Sequence, residues 1–152
     1  AQNEGQANAF RHLRESMSEA QKPEGGSIKH DISVPVSDIP AFIERAGPAA
    51  QKVAPGCRVV CFGHMGDGNL HYNISQPEGG DKQAYLALYR EMNDAIHAIV
   101  RDLNGSFSAE HGIGRMKRDE LVATQPAIAT ELMRRVKAAF DPAGIMNPHK
   151  VI

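Results

Sequence analysis

The chain predicts an α+β fold, in which an antiparallel sheet carries helices packed on one face. Three observations point there. Ile28, His30, Ile32 and Val34 alternate with Lys29, Asp31 and Ser33, as a half-buried strand does. Two further alternating runs meet at Asp67-Gly68, a dipeptide that favours a tight hairpin. Between these strand signals lie apolar stripes at three- and four-residue steps, the period of an amphipathic helix.

Taken in order, residues 6–22 read as a helix with Phe10, Leu13, Met17 and Ala20 on one stripe, ended by Pro23-Glu24-Gly25-Gly26. The strand from Ile28 to Val34 follows. Ser37 or Asp38 can cap the next helix, whose inner face is Phe42, Ile43, Ala46 and Ala50. Pro48 should kink or interrupt that helix. After the hairpin, from Arg58 to about Ser75, Asp81 or the turn before it starts a long helix. Its stripe is Tyr85, Leu88, Tyr89, Met92, Ile96, Ile99 and Leu103, and Asn104-Gly105 stops it. A short strand is expected at Ser106-Phe107-Ser108. The last helix carries Ile128, Leu132, Val136 and Phe140, and Asp141-Pro142 closes it.

A two-residue turn at Asp67-Gly68 would pair Gly66 with Asn69, Met65 with Leu70 and His64 with His71, and set Phe62 opposite Asn73. Directly opposed residues share a face, with Cβ atoms about 4.5–5.5 Å apart, so two imidazoles would reach one metal ion. The other face would carry Val59, Cys61, Leu70, Tyr72 and Ile74. A slip of one residue would bury the histidines, so the register should be firmly set. A hairpin whose histidines only hydrogen-bond is the plainer alternative.

With 152 residues, the chain is read as one domain, 1–152, with 17 basic and 18 acidic residues and no basic stripe. That balance gives no support to nucleic-acid binding. No apolar run is long enough to span a bilayer, and no secretory signal is seen. Cys57 and Cys61, at i and i+4 of a strand, lie roughly 13 Å apart, too far for a disulfide. Free thiols suggest a reducing compartment, and a cytoplasmic location is expected. Open sheet edges would promote homodimers.

Glu110 and His111 sit in a glycine-bounded segment after the short strand. Adjacent side chains in extended backbone point to opposite sides, so the two can serve different purposes. Glu110 would complete a two-histidine, one-carboxylate set with open coordination positions, and His111 would remain as an acid–base group near neutral pH. Gly112 and Gly114 would let a ligand approach the backbone. Arg14 and Ser18, four apart on the first helix, and Lys29 on the polar side of the first strand fit an anionic, carboxylate-bearing substrate. Ordinary surface charge is the alternative for these three. His12 and His97 read as surface or packing histidines, and His30 as buried and hydrogen-bonded.

Three segments occur together in one known family, in the same order: Gly63-His64-Met65-Gly66-Asp67-Gly68-Asn69-Leu70-His71, Ser108-Ala109-Glu110-His111-Gly112-Ile113-Gly114, and Phe140-Asp141-Pro142-Ala143-Gly144-Ile145-Met146-Asn147-Pro148. From about Phe10 onward the chain resembles the C-terminal, substrate-capping domain of FAD-linked oxidases acting on D-2-hydroxy acids. That family includes D-lactate dehydrogenases, the glycolate oxidase flavin subunit and D-2-hydroxyglutarate dehydrogenase.

The resemblance implies a cap-type domain, the C-terminal piece of a longer flavoenzyme whose FAD-binding domain lies outside this chain. The fragment alone is then expected to be inactive. His64, His71 and Glu110 match ligands of a divalent metal, usually zinc. Asn73 matches a substrate contact beside it, and His111 the base that takes the substrate hydroxyl proton. Arg14, Ser18 and Lys29 match contacts to the substrate carboxylate in the hydroxyglutarate enzymes, where threonine is usual at Ser18. Asn147 falls in the terminal motif that approaches the flavin. Arg11 and His149 depart from the common tryptophan and glycine.

The expected partners are a small 2-hydroxy acid and the FAD domain of the same polypeptide, with peripheral membrane association open to the full-length protein. Arg14 with Lys29 favours a dicarboxylate such as D-2-hydroxyglutarate over lactate or glycolate. A non-catalytic metal- or carboxylate-binding module, or a flavoenzyme cap that has lost its metal, are the alternatives.

Overall fold

The computed structural model describes residues 1–152 and resolves two compact units, Ala1–Glu110 and His111–Ile152. In the first unit the elements run α1 (Glu4–Glu19), β1 (Ser27–Ser33), α2 (Ile39–Val53), β2 (Arg58–His64), β3 (Asn69–Ser75), α3 (Lys82–Ala87) and α4 (Tyr89–Asp102). The second unit holds α5 (Arg118–Thr124) and α6 (Ala127–Phe140). The sheet order is β1-β3-β2, with both outer strands antiparallel to β3. The fold is therefore α+β, as the sequence predicts. No helix is long and apolar enough to cross a membrane.

Period-two alternation places one face of the sheet in the core. Ile28, Ile32, Leu70, Tyr72 and Ile74 are buried together with Phe42, Ala46 and Ala50 of α2 and Met92, Ile96 and Val100 of α4. Phe42 and Tyr72 meet edge to face, with ring centroids 5.2 Å apart. The Tyr85 hydroxyl donates to the Ile74 carbonyl at 2.6 Å, and burial pushes its pKa up to about 12. His30 is buried as expected and its Nδ1 donates to the Tyr72 carbonyl at 2.9 Å. His97 is a packing residue, with Phe107 and His30 against its ring, while His12 is exposed. The opposite sheet face carries Lys29, Asp31, His71 and Asn73, and that face holds the chemistry.

Several elements differ from the sequence reading. Two-residue closure at Asp67-Gly68 is replaced by a four-residue loop, Met65-Gly66-Asp67-Gly68, so His64 pairs with Asn69, Phe62 with His71 and Val60 with Asn73. The cause lies outside the hairpin. Gly68, at φ 79°, turns its carbonyl to the Val34 amide at 3.1 Å, and its own amide closes on the His64 carbonyl at 3.1 Å. A shift of two residues preserves which side chains share a face, whereas a shift of one would not.

Pro48 does not interrupt α2. Its ring is exposed, and the only carbonyl it deprives of a partner, that of Glu44, is on the solvent side, while Ala46 and Ala50 stay packed. Ile43, expected in the core, is exposed. The long third helix is broken at Leu88 into α3 and α4, with the Asp81 side chain capping the first through the Ala84 amide at 2.6 Å. The strand at 106–108 is reduced to one bridge, Ser33 with Ser106. The stripes of α1 and α6 are exposed rather than buried: Phe10 and Leu13 on α1, and Ile128, Leu132, Val136 and Phe140 on α6.

Candidate metal and substrate site

His64 is the last residue of β2, His71 lies in the central strand, and Glu110 follows the Ser33–Ser106 bridge on irregular backbone. Because the loop has four residues, the histidines are diagonal rather than directly opposed, yet their ring centroids are only 6.0 Å apart. Glu110 spans them. Its Oε1 is 3.6 Å from His64 Nε2 and its Oε2 is 3.6 Å from His71 Nε2. Both gaps are too long for hydrogen bonds. Each, taken to its own carboxylate oxygen, is near the roughly 3.4 Å between ligand atoms set tetrahedrally at 2.0–2.1 Å from one ion. The three donor atoms all lie within 4.8 Å of one another. The donor set and its spacing therefore fit a divalent ion better than a hydrogen-bonded trio.

Glu110 is brought to the histidines by Asp31. The Glu110 amide donates to Asp31 Oδ2 at 2.8 Å and the Ala109 amide to the Asp31 carbonyl at 3.1 Å. Asp31 Oδ1 accepts from Asn69 Nδ2 at 2.9 Å and lies 3.8 Å from His71 Nδ1. The Asp31 side chain is 1% exposed. Sequence reasoning placed Asp31 only on the polar side of a strand. Its signal is the pairing of Asp31 with His71 across β1 and β3, which no local pattern contains.

Arg14 and Ser18 of α1 line a cavity of about 190 Å³ whose other walls include Phe62, His64 and His71. The structure thus joins two of the three predicted carboxylate contacts to the histidines. Lys29 is set apart. It pairs across the sheet with Asn73 but lines a different cavity, of about 290 Å³, with Lys22 and Lys82. Asn73 is buried, and its Nδ2 donates to Gln21 Oε1 at 2.9 Å.

In the second unit, His111 is exposed and Gly112 and Gly114 take φ of 72° and 56°. Asn147 (φ 45°) lines a recess of about 620 Å³ with Leu132, Val136 and Phe140 of α6. Asp141 shapes the terminal motif there. Its Oδ1 accepts from the Ile145 amide at 2.9 Å and its Oδ2 from the Met146 amide at 3.0 Å. The Lys137 ammonium donates to the same carboxylate and, with those amides, holds its pKa below the usual value. Cys57 and Cys61 are free thiols, and burial pushes both pKa values up.

A D-2-hydroxyglutarate dehydrogenase of Stutzerimonas stutzeri is 41% identical over 99% of this chain and 32% of its own length. The mitochondrial D-2-hydroxyglutarate dehydrogenase of Arabidopsis thaliana is 36% identical over all of this chain and 26% of its own length. That of Rattus norvegicus is 35% identical over 92% of this chain and 25% of its own length. The chain thus spans about a quarter to a third of these relatives. Residues 1–151 match the family described as FAD linked oxidases, C-terminal domain, and the chain belongs to that family.

Proposed function

We propose that this chain is the substrate- and metal-binding part of an FAD-dependent D-2-hydroxy-acid dehydrogenase, with D-2-hydroxyglutarate the favoured substrate. The observation that carries the reading is one cavity lined by both a cation–hydroxyl pair, Arg14 and Ser18, and the two histidines that Glu110 bridges. The substrate name comes from the three relatives above, each called D-2-hydroxyglutarate dehydrogenase. The 1–152 segment acts as one cap domain in this reading, and an FAD domain elsewhere in the same polypeptide completes the enzyme.

When bound, the metal supplies a Lewis acid for the substrate hydroxyl and carboxylate, and FAD supplies the two-electron acceptor for the C2 hydride. His64, His71 and Glu110 hold the ion, zinc being the favoured one for two imidazoles and a carboxylate. Arg14 forks onto a substrate carboxylate and Ser18 adds a hydrogen bond. Lys29 offers a second cation on the same sheet face, and Asn73 orients the substrate from the central strand. His111 takes the hydroxyl proton as general base. Asn147 serves the flavin side. The free thiols suit a reducing compartment, cytoplasmic or, as in the names of the plant and animal relatives, mitochondrial. The outer strand β2 offers an edge on which a second copy can pair to give a homodimer.

The test is elemental analysis of the full-length protein beside a His64→Ala/His71→Ala variant. About one zinc, manganese or iron per chain in the wild type, absent in the variant together with oxidation of D-2-hydroxyglutarate, is expected. A folded, metal-supplemented wild type without metal would remove the metal from the reading.

A further inference from the structure

We infer that Asp31 is the positioning residue of the His64, His71, Glu110 centre, docking the third ligand onto the sheet and fixing which nitrogen of His71 faces the ion. The inference rests on the metal reading above and adds a residue to it.

Glu110 has no regular element to hold it. What holds it is the Asp31 residue, through its backbone carbonyl to Ala109 and its Oδ2 to the Glu110 amide. The other oxygen, Oδ1, takes the Asn69 side chain, which is anchored in turn on the Ile32 carbonyl at 3.1 Å. Asn69 is the residue paired with His64 and Asp31 the residue paired with His71, so the Asp31 carboxylate meets the Glu110 amide directly and is linked through the Asn69 side chain to the position opposite His64.

The same Oδ1 is 3.8 Å from His71 Nδ1, on the side of the ring opposite the Nε2 that faces Glu110. At 3.8 Å, beyond hydrogen-bond reach, the carboxylate acts on the ring through its charge, which favours the tautomer with hydrogen on Nδ1 and leaves the Nε2 lone pair for an ion. Two donors and the His71 ring offset part of the cost of burying the Asp31 charge, and a cation on the far side of His71 offsets more. An amide in place of Asp31 would turn its NH2 group either toward the Glu110 amide or toward both the Asn69 donor and Nδ1 of His71.

The test titrates metal-free full-length protein with cobalt(II) against a competing chelator, reading affinity and the visible d–d spectrum. Three forms are compared: wild type, Asp31→Asn, and the exchange Asp31→Asn/Asn69→Asp. The exchange restores a donor–acceptor pair between 31 and 69, though not the Asn69 bond to the Ile32 carbonyl, and returns no carboxylate to His71 or Glu110, so a folded exchange variant with weakened cobalt binding points to positioning of the ion. Expected are one cobalt per wild-type chain, and affinity about 10- to 100-fold weaker with an altered spectrum in both variants. Wild-type affinity and spectrum in either variant would overturn the Asp31 inference alone. No cobalt in the folded wild type would overturn the metal reading and this inference with it. If Asp31→Asn does not fold, the exchange decides between the first two results.

Discussion

At the scale of single residues, the substrate end of the site turns on Arg14. Its cavity also exposes His64 and His71, so a carboxylate held by Arg14 would lie beside the proposed ion. A hydrogen bond to a charged group contributes about 1.5–3 kcal/mol, or about a 10- to 100-fold change in binding. Arg14→Ala in the full-length enzyme is therefore expected to raise KM for D-2-hydroxyglutarate by that factor with a smaller change in kcat. Arg14→Lys should recover part of it, since an ammonium keeps the charge but not the fork. Unchanged steady-state constants in Arg14→Ala would return the residue to ordinary surface charge. Lys29 belongs to a separate cavity with two other lysines, so its replacement should cost less.

At the scale of elements, the hairpin decides whether there is a site at all, and its register is set by Gly68. A Cβ on Gly68 would sit 1.9 Å from the Val34 carbonyl oxygen, and its φ of 79° disfavours any other L-residue. Gly68→Ala should therefore destabilise the protein by about 2–4 kcal/mol in denaturant unfolding and weaken metal binding by displacing His64 from Glu110. Gly66→Ala, with nothing within 4 Å of its Cβ and no left-handed φ, is the matched control and should change neither. Equal behaviour of the two variants would mean that the loop does not set the register.

This loop also marks how far the sequence could be read. Alternation identified both strands and the correct faces, because period two is local and survives a shift of two residues. It could not find the register, because the contact that sets it, Gly68 with Val34, lies outside the hairpin. Asp31 carries no local signal for the same reason: its partners at 69, 71 and 110 meet only once β1 pairs with β3. The stripes of α1 and α6 were correctly seen as amphipathic, but periodicity states that a face is apolar and not what covers it.

At the scale of the whole molecule, that uncovered surface carries the last prediction. On α6, Leu132 is 52% exposed, Val136 58% and Phe140 79%, and these three border an apolar recess in the second unit. A stripe of large apolar side chains beside a recess is more than the scattered hydrophobic exposure of a surface, and contiguous patches of this kind mark contact sites. The relatives are three to four times longer than the matched segment, and the proposed FAD domain would lie in the remainder. Val136→Glu places a charge in the middle of the exposed stripe. In this chain alone it should shift unfolding by no more than about 0.5 kcal/mol, because the site is solvated. In the full-length protein it should cost several kcal/mol of domain association, seen as loss of FAD on gel filtration and loss of hydroxy-acid oxidation. Full retention of flavin and activity would mean that the FAD domain does not cover α6. Loss of stability in the isolated chain would instead show that the stripe folds against this chain itself.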